Sequence, residues 1–191
     1  MNTVPAEVVM ESYVRAATTK AIVSANKRIN RAISAAAAAN GCTVIISDMA
    51  GSEPLNEDKM LSRLCLNVFE EIGGKDCFYD DSSKWSASST DMGDMSVNFP
   101  SVHAWVFGAK GTLHGSDFSV AEPEKLCVNA AILEFAVVRR LLENGAEKAK
   151  EIIKNFKPVY PSIRDYVAHK KSQNVERETV IQNEDGSVTI L

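Results

Sequence analysis

A chain of 191 residues has the length of one ordinary domain, or of one domain with a small appendage. Its 45% hydrophobic and 24% charged residues are those of a globular protein, not of a disordered or fibrous one. The formal charge of −4 and the lack of any Lys/Arg cluster interleaved with aromatics argue against nucleic acid as a partner, and the lack of an apolar run of about 18 residues argues against a membrane.

The four cysteines, Cys42, Cys65, Cys77 and Cys127, are widely spaced and form no CxxC pair. Free thiols of a reducing compartment are the better reading. The N-terminus lacks the basic and apolar regions of a signal peptide, so the expected location is cytoplasmic.

Val4 to Arg15 reads as a strand: Val8, Met10 and Val14 alternate with Glu7, Glu11 and Arg15, the pattern of a half-buried edge. Thr18 or Thr19 can cap a following helix, in which Ile22, Ala25, Ile29, Ala32, Ile33 and Ala36 recur at helical spacing and Asn40-Gly41 stops the run. Cys42 to Met49 is a second strand. Gly51 to Asn56, with Pro54, breaks the pattern and marks the expected domain boundary. Asn56, Glu57 and Asp58 supply a cap for a helix carrying Met60, Leu61, Leu64, Val68, Phe69 and Ile72, closed by Gly73-Gly74.

A short strand is expected at Cys77 to Tyr79, then a polar loop from Asp80 to Ser96. Val102 to Phe107 alternates like a strand. Pro123 opens a long helix at its favoured first position, with Leu126, Ala130, Leu133, Val137 and Leu141 on its apolar face as far as Asn144-Gly145. A further helix, Ala146 to Phe156, ends before Pro158 and Pro161. Residues 173–191 are charged and weakly patterned: a mobile tail, or one strand through Val188 to Leu191.

Ser88 to His114 is the stretch best suited to chemistry, an acid-bearing loop, an apolar run and a glycine-bracketed loop ending on a histidine. His114 is either a hydrogen-bonded loop residue or a metal ligand. Ser89-Thr90-Asp91 and Gly93-Asp94 are either Asx- and ST-turns or a carboxylate and hydroxyls at a site mouth. Arg15 is either a surface cation or a carboxylate clamp, a task that suits its planar fork.

Four stretches carry a family resemblance. Asn2-Thr3-Val4-Pro5, running to Tyr13-Val14-Arg15, resembles the "Asn-x-x-Pro … Arg" stretch of aminoacylase-type metallopeptidases and amidohydrolases, the M-twenty peptidases. Ala39 to Val44, Ser89 to Ser96 and Gly111-Thr112-Leu113-His114 are similar, in the same order, to segments of the aminobenzoyl-glutamate hydrolase branch and related dipeptidases. Each motif alone is weak, and together they span about residues 2–155.

The resemblance implies an α/β protein of two partial domains. Residues 1–52 would be the second half of an α+β, ferredoxin-like lid and dimerisation domain. Residues 53–172 would be the C-terminal part of a metallohydrolase catalytic domain, and residues 173–191 a tail. His114 matches a metal ligand, Asn2 and Arg15 match substrate-binding positions, and Thr90, Asp91 and Asp94 lie in a loop bordering the site. The implied cofactors are divalent metal ions, zinc first, with manganese or cobalt as alternatives. The implied substrate is an N-acyl amino acid or dipeptide, aminobenzoyl-glutamate-like, cleaved at its amide bond.

The family's other metal ligands, bridging carboxylate and general-base Glu precede its lid, whereas Met1 falls directly before the Asn of the motif. No catalytic group is therefore expected in this chain, which is expected to be inactive alone and to form a homodimer or to pair with a complementing N-terminal segment. After His114 the family shows Ser or Thr, where Gly115-Ser116-Asp117 stands here, a departure that bears on substrate preference. The competing expectation is a non-catalytic dimerisation or binding module derived from the same family.

Overall fold

A computed structural model describes residues 4–75 and 84–191. It is a mixture of helix and sheet, 47% helical and 11% strand, and every strand pair among the described residues is antiparallel. The chain divides into two compact units, Met1–Pro54 with Ala168–Leu191, and Leu55–Val167. The division falls at Pro54/Leu55, inside the Gly51–Asn56 break, and again within a late helix. The expected strand at Cys77 to Tyr79, Asp80 to Ser83 of the polar loop, and Asn2 all lie outside the described residues.

The first unit is built on α1, Thr19–Ala39, laid on a small sheet. Thr18 caps it, its hydroxyl accepting the Ala21 N–H at 3.2 Å, and Gly41 takes the left-handed conformation just past its end. Strand β1, Val44–Asp48, follows. Its partner comes from the far end of the chain: β4, Val175–Gln182, runs antiparallel to β1, and β5, Val188–Ile190, adds on beyond it, giving the order β1-β4-β5. The C-terminal residues are thus strands and not a mobile tail. Only the β5 stretch was marked by the sequence, because β4 carries three consecutive charged residues, Glu176, Arg177 and Glu178, and no period-2 apolar pattern.

The β1/β4 register shifts by one residue, Val44 facing Val180 and Ile45 facing Glu178, so Thr179 is a bulge. The bulge lets two consecutive side chains, Thr179 and Val180, both be buried. Asn30 and Ser34 of α1 are buried with them, and Ser34 shares a 2.8 Å hydrogen bond with Thr179. Asn26 and Asn30 donate to the Asp48 carboxylate at 2.9 and 2.8 Å. The helix therefore meets the sheet along a polar seam. The expected apolar stripe is only partly covered: Ile29 is 41% exposed, and Ala32 and Ala36 face solvent.

Val4 to Arg15 does not form the expected strand. No neighbouring strand pairs with it among the described residues, and Val8 and Met10 stay 77% and 69% exposed. Period-2 patterning specifies a strand only where an edge is present to receive its N–H and C=O groups.

The second unit pairs α2, Lys59–Gly73, with the long helix α4, Ala130–Asn155. Cys65 and Val68 form the buried face of α2, and the Arg140 guanidinium of α4 meets the Glu71 carboxylate at 2.7 Å. Asp58 is the N-cap of α2, accepting the Leu61 N–H at 2.8 Å. After Pro123, Glu124–Asn129 winds as a π-type turn before α4 proper. The expected break at Asn144-Gly145 is real: Asn144, Gly145 and Ala146 all take left-handed backbone angles, and the helix resumes beyond them.

Two further elements were not anticipated. Helix α3, Met92–Ser96, is a single short turn. Helix α5, Ile163–Gln173, begins at Ser162, whose hydroxyl accepts the Asp165 N–H at 3.2 Å and meets the Asp165 carboxylate at 2.6 Å. That serine cap was legible as Ser-x-x-Asp after Pro161.

Val102 to Phe107 alternates in sequence yet forms no strand. Backbone at its start is used at the N-terminus of α2: the Asp58 N–H donates to the carbonyl of the preceding Ser101 at 2.9 Å, and the His103 N–H donates to the Glu57 carboxylate at 2.7 Å. Trp105 and Phe107 are left exposed.

Candidate functional site

The site with the most local structure is the hairpin carrying His114. Strands β2, Ala109–Lys110, and β3, Ser119–Val120, pair antiparallel and hold residues 111–118 between them. At its root the Gly108 carbonyl accepts the N–H groups of both Ala121 and Glu122 at 2.8 Å. A Cβ on Gly108 would stand 2.7 Å from Cβ of Leu126, so only glycine lets the hairpin root approach the following helix this closely.

Within the loop, Thr112 donates its N–H to both carboxylate oxygens of Asp117, at 3.2 and 3.3 Å, and the Gly115 N–H returns to the Thr112 carbonyl at 2.7 Å. Gly111 lies against the Asp117 backbone, where a Cβ would sit 2.4 Å from the carbonyl oxygen. This bracing holds His114 at φ 64°, in the left-handed region, with its side chain exposed. Histidine tolerates that region better than most residues but still at a cost. Asp117, which in the sequence stands out only as a departure after His114, has its carboxylate used inside the loop, bracing the turn that presents the imidazole.

The polar loop resolves differently. Thr90 Oγ1 accepts the Met92 N–H at 3.3 Å and the Thr90 carbonyl accepts the Gly93 N–H at 2.9 Å, so Thr90 acts as the ST-turn that opens α3. Asp91 precedes the helix, exposed, without a side-chain cap bond. Asp94 is half-buried, and its carbonyl accepts the Asn98 side-chain N–H at 2.9 Å. What this segment fixes most firmly is Ser96, fully buried, whose hydroxyl accepts the Asn56 N–H at 2.8 Å and donates to the Gly93 carbonyl at 2.9 Å. Val97 is buried beside it, and its carbonyl takes the Val159 N–H at 2.9 Å.

Arg15 belongs to the first unit, where its guanidinium lies 5.5 Å from the Tyr13 ring centroid. Asn2 lies outside the described residues. His103 stacks at a tilt on Trp105, ring centroids 5.0 Å apart, and its backbone already serves Glu57.

Among the described residues the one strongly displaced thiol is Cys65, pushed up to about 11, first by burial and second by the nearby Glu57 carboxylate. It stays a neutral thiol at physiological pH and is a core residue, not a nucleophile.

Among the described residues no three His, Cys, Asp or Glu side chains gather closely enough to hold one metal ion. An exposed imidazole alone does not hold zinc, which takes three or four protein ligands. The described donor set is thus incomplete for a metal centre. His114 offers one donor on a braced loop. No helix among the described residues is long and apolar enough to cross a membrane.

Comparison with protein-family models, with curated proteins and with solved structures returns no match to this chain.

Proposed function

We propose that this chain is the C-terminal portion of a metal-dependent amidohydrolase of the aminoacylase type, acting in the reducing cytoplasm on an N-acyl amino acid or dipeptide-like substrate. The observation that carries the reading is the His114 hairpin. Gly111 and Asp117 fix the turn, and the left-handed backbone at His114 directs an exposed imidazole outward, at the position where the sequence resemblance puts a metal ligand. Backbone strain retained at an exposed histidine supports a functional role. In this reading residues 53–172 are part of an α/β catalytic domain, residues 1–52 are half of a lid, and Arg15 grips a substrate carboxylate. In this reading the family's further metal donors and its general base belong to the part of the fold that precedes the lid.

The alternative is an assembly module without chemistry of its own, favoured by the exposed Val4, Val8, Val9 and Met10, which suit strand pairing with another chain.

Two measurements separate the readings. Co-expression with a segment carrying His-x-Asp and Glu-Glu motifs should yield a complex with bound divalent metal, and His114→Ala should lower the metal content measured by mass spectrometry. Unchanged occupancy in the variant removes His114 from the site. The purified chain alone is expected to show no metal-dependent amide hydrolysis, and activity from it would refute the fragment reading.

A further inference from the structure

Helix α1 carries four cations, Lys20, Lys27, Arg28 and Arg31, and no acidic residue over its 21 positions. Helix stability does not account for this arrangement. Lys20 lies in the first turn, where the macrodipole disfavours a cation, and the last turn holds none. Lys27 and Arg31 stand one turn apart, a spacing at which like charges repel. None of the four makes a hydrogen bond or ion pair with another described residue.

These side chains border two adjoining hollows of the first unit. One, of about 690 Å³, lies between α1 and the C-terminal strands, with Lys27, Arg28 and Arg31 along one wall and Arg177 and Thr179 on the other. The second, of about 400 Å³, continues toward the start of α1, past Ser24 and Lys27 to Lys20 and His169. From Lys20 to Arg31 the strip is roughly 16 Å long at 1.5 Å per residue.

The side-chain acids nearby are engaged elsewhere: Glu53, beside the smaller hollow, takes the Thr19 hydroxyl at 2.5 Å and lies 3.8 Å from Lys170, and Ile190 and Leu191 complete the lining of the larger hollow. Asp48 is already held by Asn26, Asn30 and Arg177, the last at 3.1 Å. Glu176 and Glu178 pair with Ser47 and Ile45. They therefore face the side of the sheet opposite Ile46 and Arg177, away from the helix. Ser24 also lines the larger hollow, whereas the Ser34 and Thr179 hydroxyls at its floor are spent on each other and on the Asn30 carbonyl. A groove of this size, with unpaired guanidinium forks, suits a small anion whose oxygens take bidentate hydrogen bonds.

We propose that the groove along α1 is a binding site for a small, multiply charged phosphoryl anion, of the kind that carries a pyrophosphate group. Arg28 and Arg31 grip it and Lys27 supplies a third charge. Neither His114 nor Arg15 lines the groove, so this site stands or falls independently of the hydrolase reading.

The test titrates inorganic pyrophosphate into the full chain at low ionic strength by calorimetry, with citrate as a carboxylate counterpart. Saturable one-to-one binding of pyrophosphate, tighter than citrate, is expected. Arg31→Ala and Lys27→Ala should each weaken it by about tenfold or more, and Lys125→Ala, a paired cation of the other unit, should leave it unchanged. Arg31→Lys keeps the charge and the helix while removing the fork, and should also weaken binding, so a misfolded alanine variant does not block the test. Amide exchange should slow on addition of pyrophosphate within residues 24–34. Absence of saturable binding, tighter binding of citrate, or an equal loss in Lys125→Ala overturns the proposal.

Discussion

Ser34, in the C-terminal half of α1, and Thr179, in the bulge of β4, share a buried 2.8 Å hydrogen bond between hydroxyls that stand 145 positions apart in the sequence. Ser34 also reaches the Asn30 carbonyl at 2.9 Å. A hydroxyl brings one proton and two lone pairs, so Ser34 serves both contacts by donating one bond and accepting the other. Removing Ser34 alone strands the buried Thr179 hydroxyl, and Ser34→Ala should destabilise the chain by about 1–3 kcal/mol. The double variant Ser34→Ala/Thr179→Val removes both polar groups and should be closer to the parent than the sum of the two single changes. Chemical denaturation of the four proteins reads this directly, and strict additivity would sink the idea.

The C-terminal hairpin is the sole sheet partner of β1 among the described residues. Deleting residues 174–191 should expose the β1 edge, remove the Arg177 contact to Asp48, and uncover Ile46. Amide protection across Val44–Asp48 should then fall to that of an open chain, and α1 should lose its cooperative transition. Retained protection in the truncated chain would show that α1 and β1 are stable without the hairpin.

The loop that presents His114 can be tested from both sides. Gly111→Ala forces a Cβ against the Asp117 backbone at φ +94°, a conformation that disfavours a side chain by about 1–2 kcal/mol before the clash is counted. It should lower the midpoint of thermal unfolding. His114→Gly relieves left-handed strain at the tip and should leave stability unchanged or raise it by about 1 kcal/mol. A loss of stability in His114→Gly would mean that the imidazole is needed for folding.

Cys65 gives a pH dependence with a definite sign. Its folded value of about 11 lies above the unfolded 9.0. The neutral thiol is thus favoured by folding, and this contribution is fully present below about 9. It is lost as pH rises from 9 through 11, because the unfolded chain releases its proton first. Alkylation at neutral pH should label the exposed Cys42 and Cys127 well before Cys65. Cys65→Ala should flatten the decline in stability between these two pH values.

The long helices α1, α2 and α4 were legible because their determinants are local, whereas α3 and α5 were not anticipated. Thr18, Asp58 and Asn144-Gly145 act on backbone groups a few residues away, and the structure places each where the sequence puts it. The candidate site was legible in part. Glycines around His114 mark a constrained loop, but nothing in the spacing shows that Asp117 is the brace, or that Ser96 is the buried pin of the Thr90–Asp94 segment.

Strand pairing was decided elsewhere. Val102 to Phe107 and Val4 to Arg15 both carry the period of a strand and neither becomes one, while the charged stretch Val175–Gln182 does. A helix satisfies its N–H and C=O groups within its own segment, so its sequence suffices to specify it. A strand satisfies them only on a neighbour, and the neighbour that β1 receives comes from the far end of the chain. By itself the sequence determined the caps, the helix breaks and the glycine-bound histidine; the tertiary structure chose which edges were filled, because that choice depends on contacts no local pattern contains.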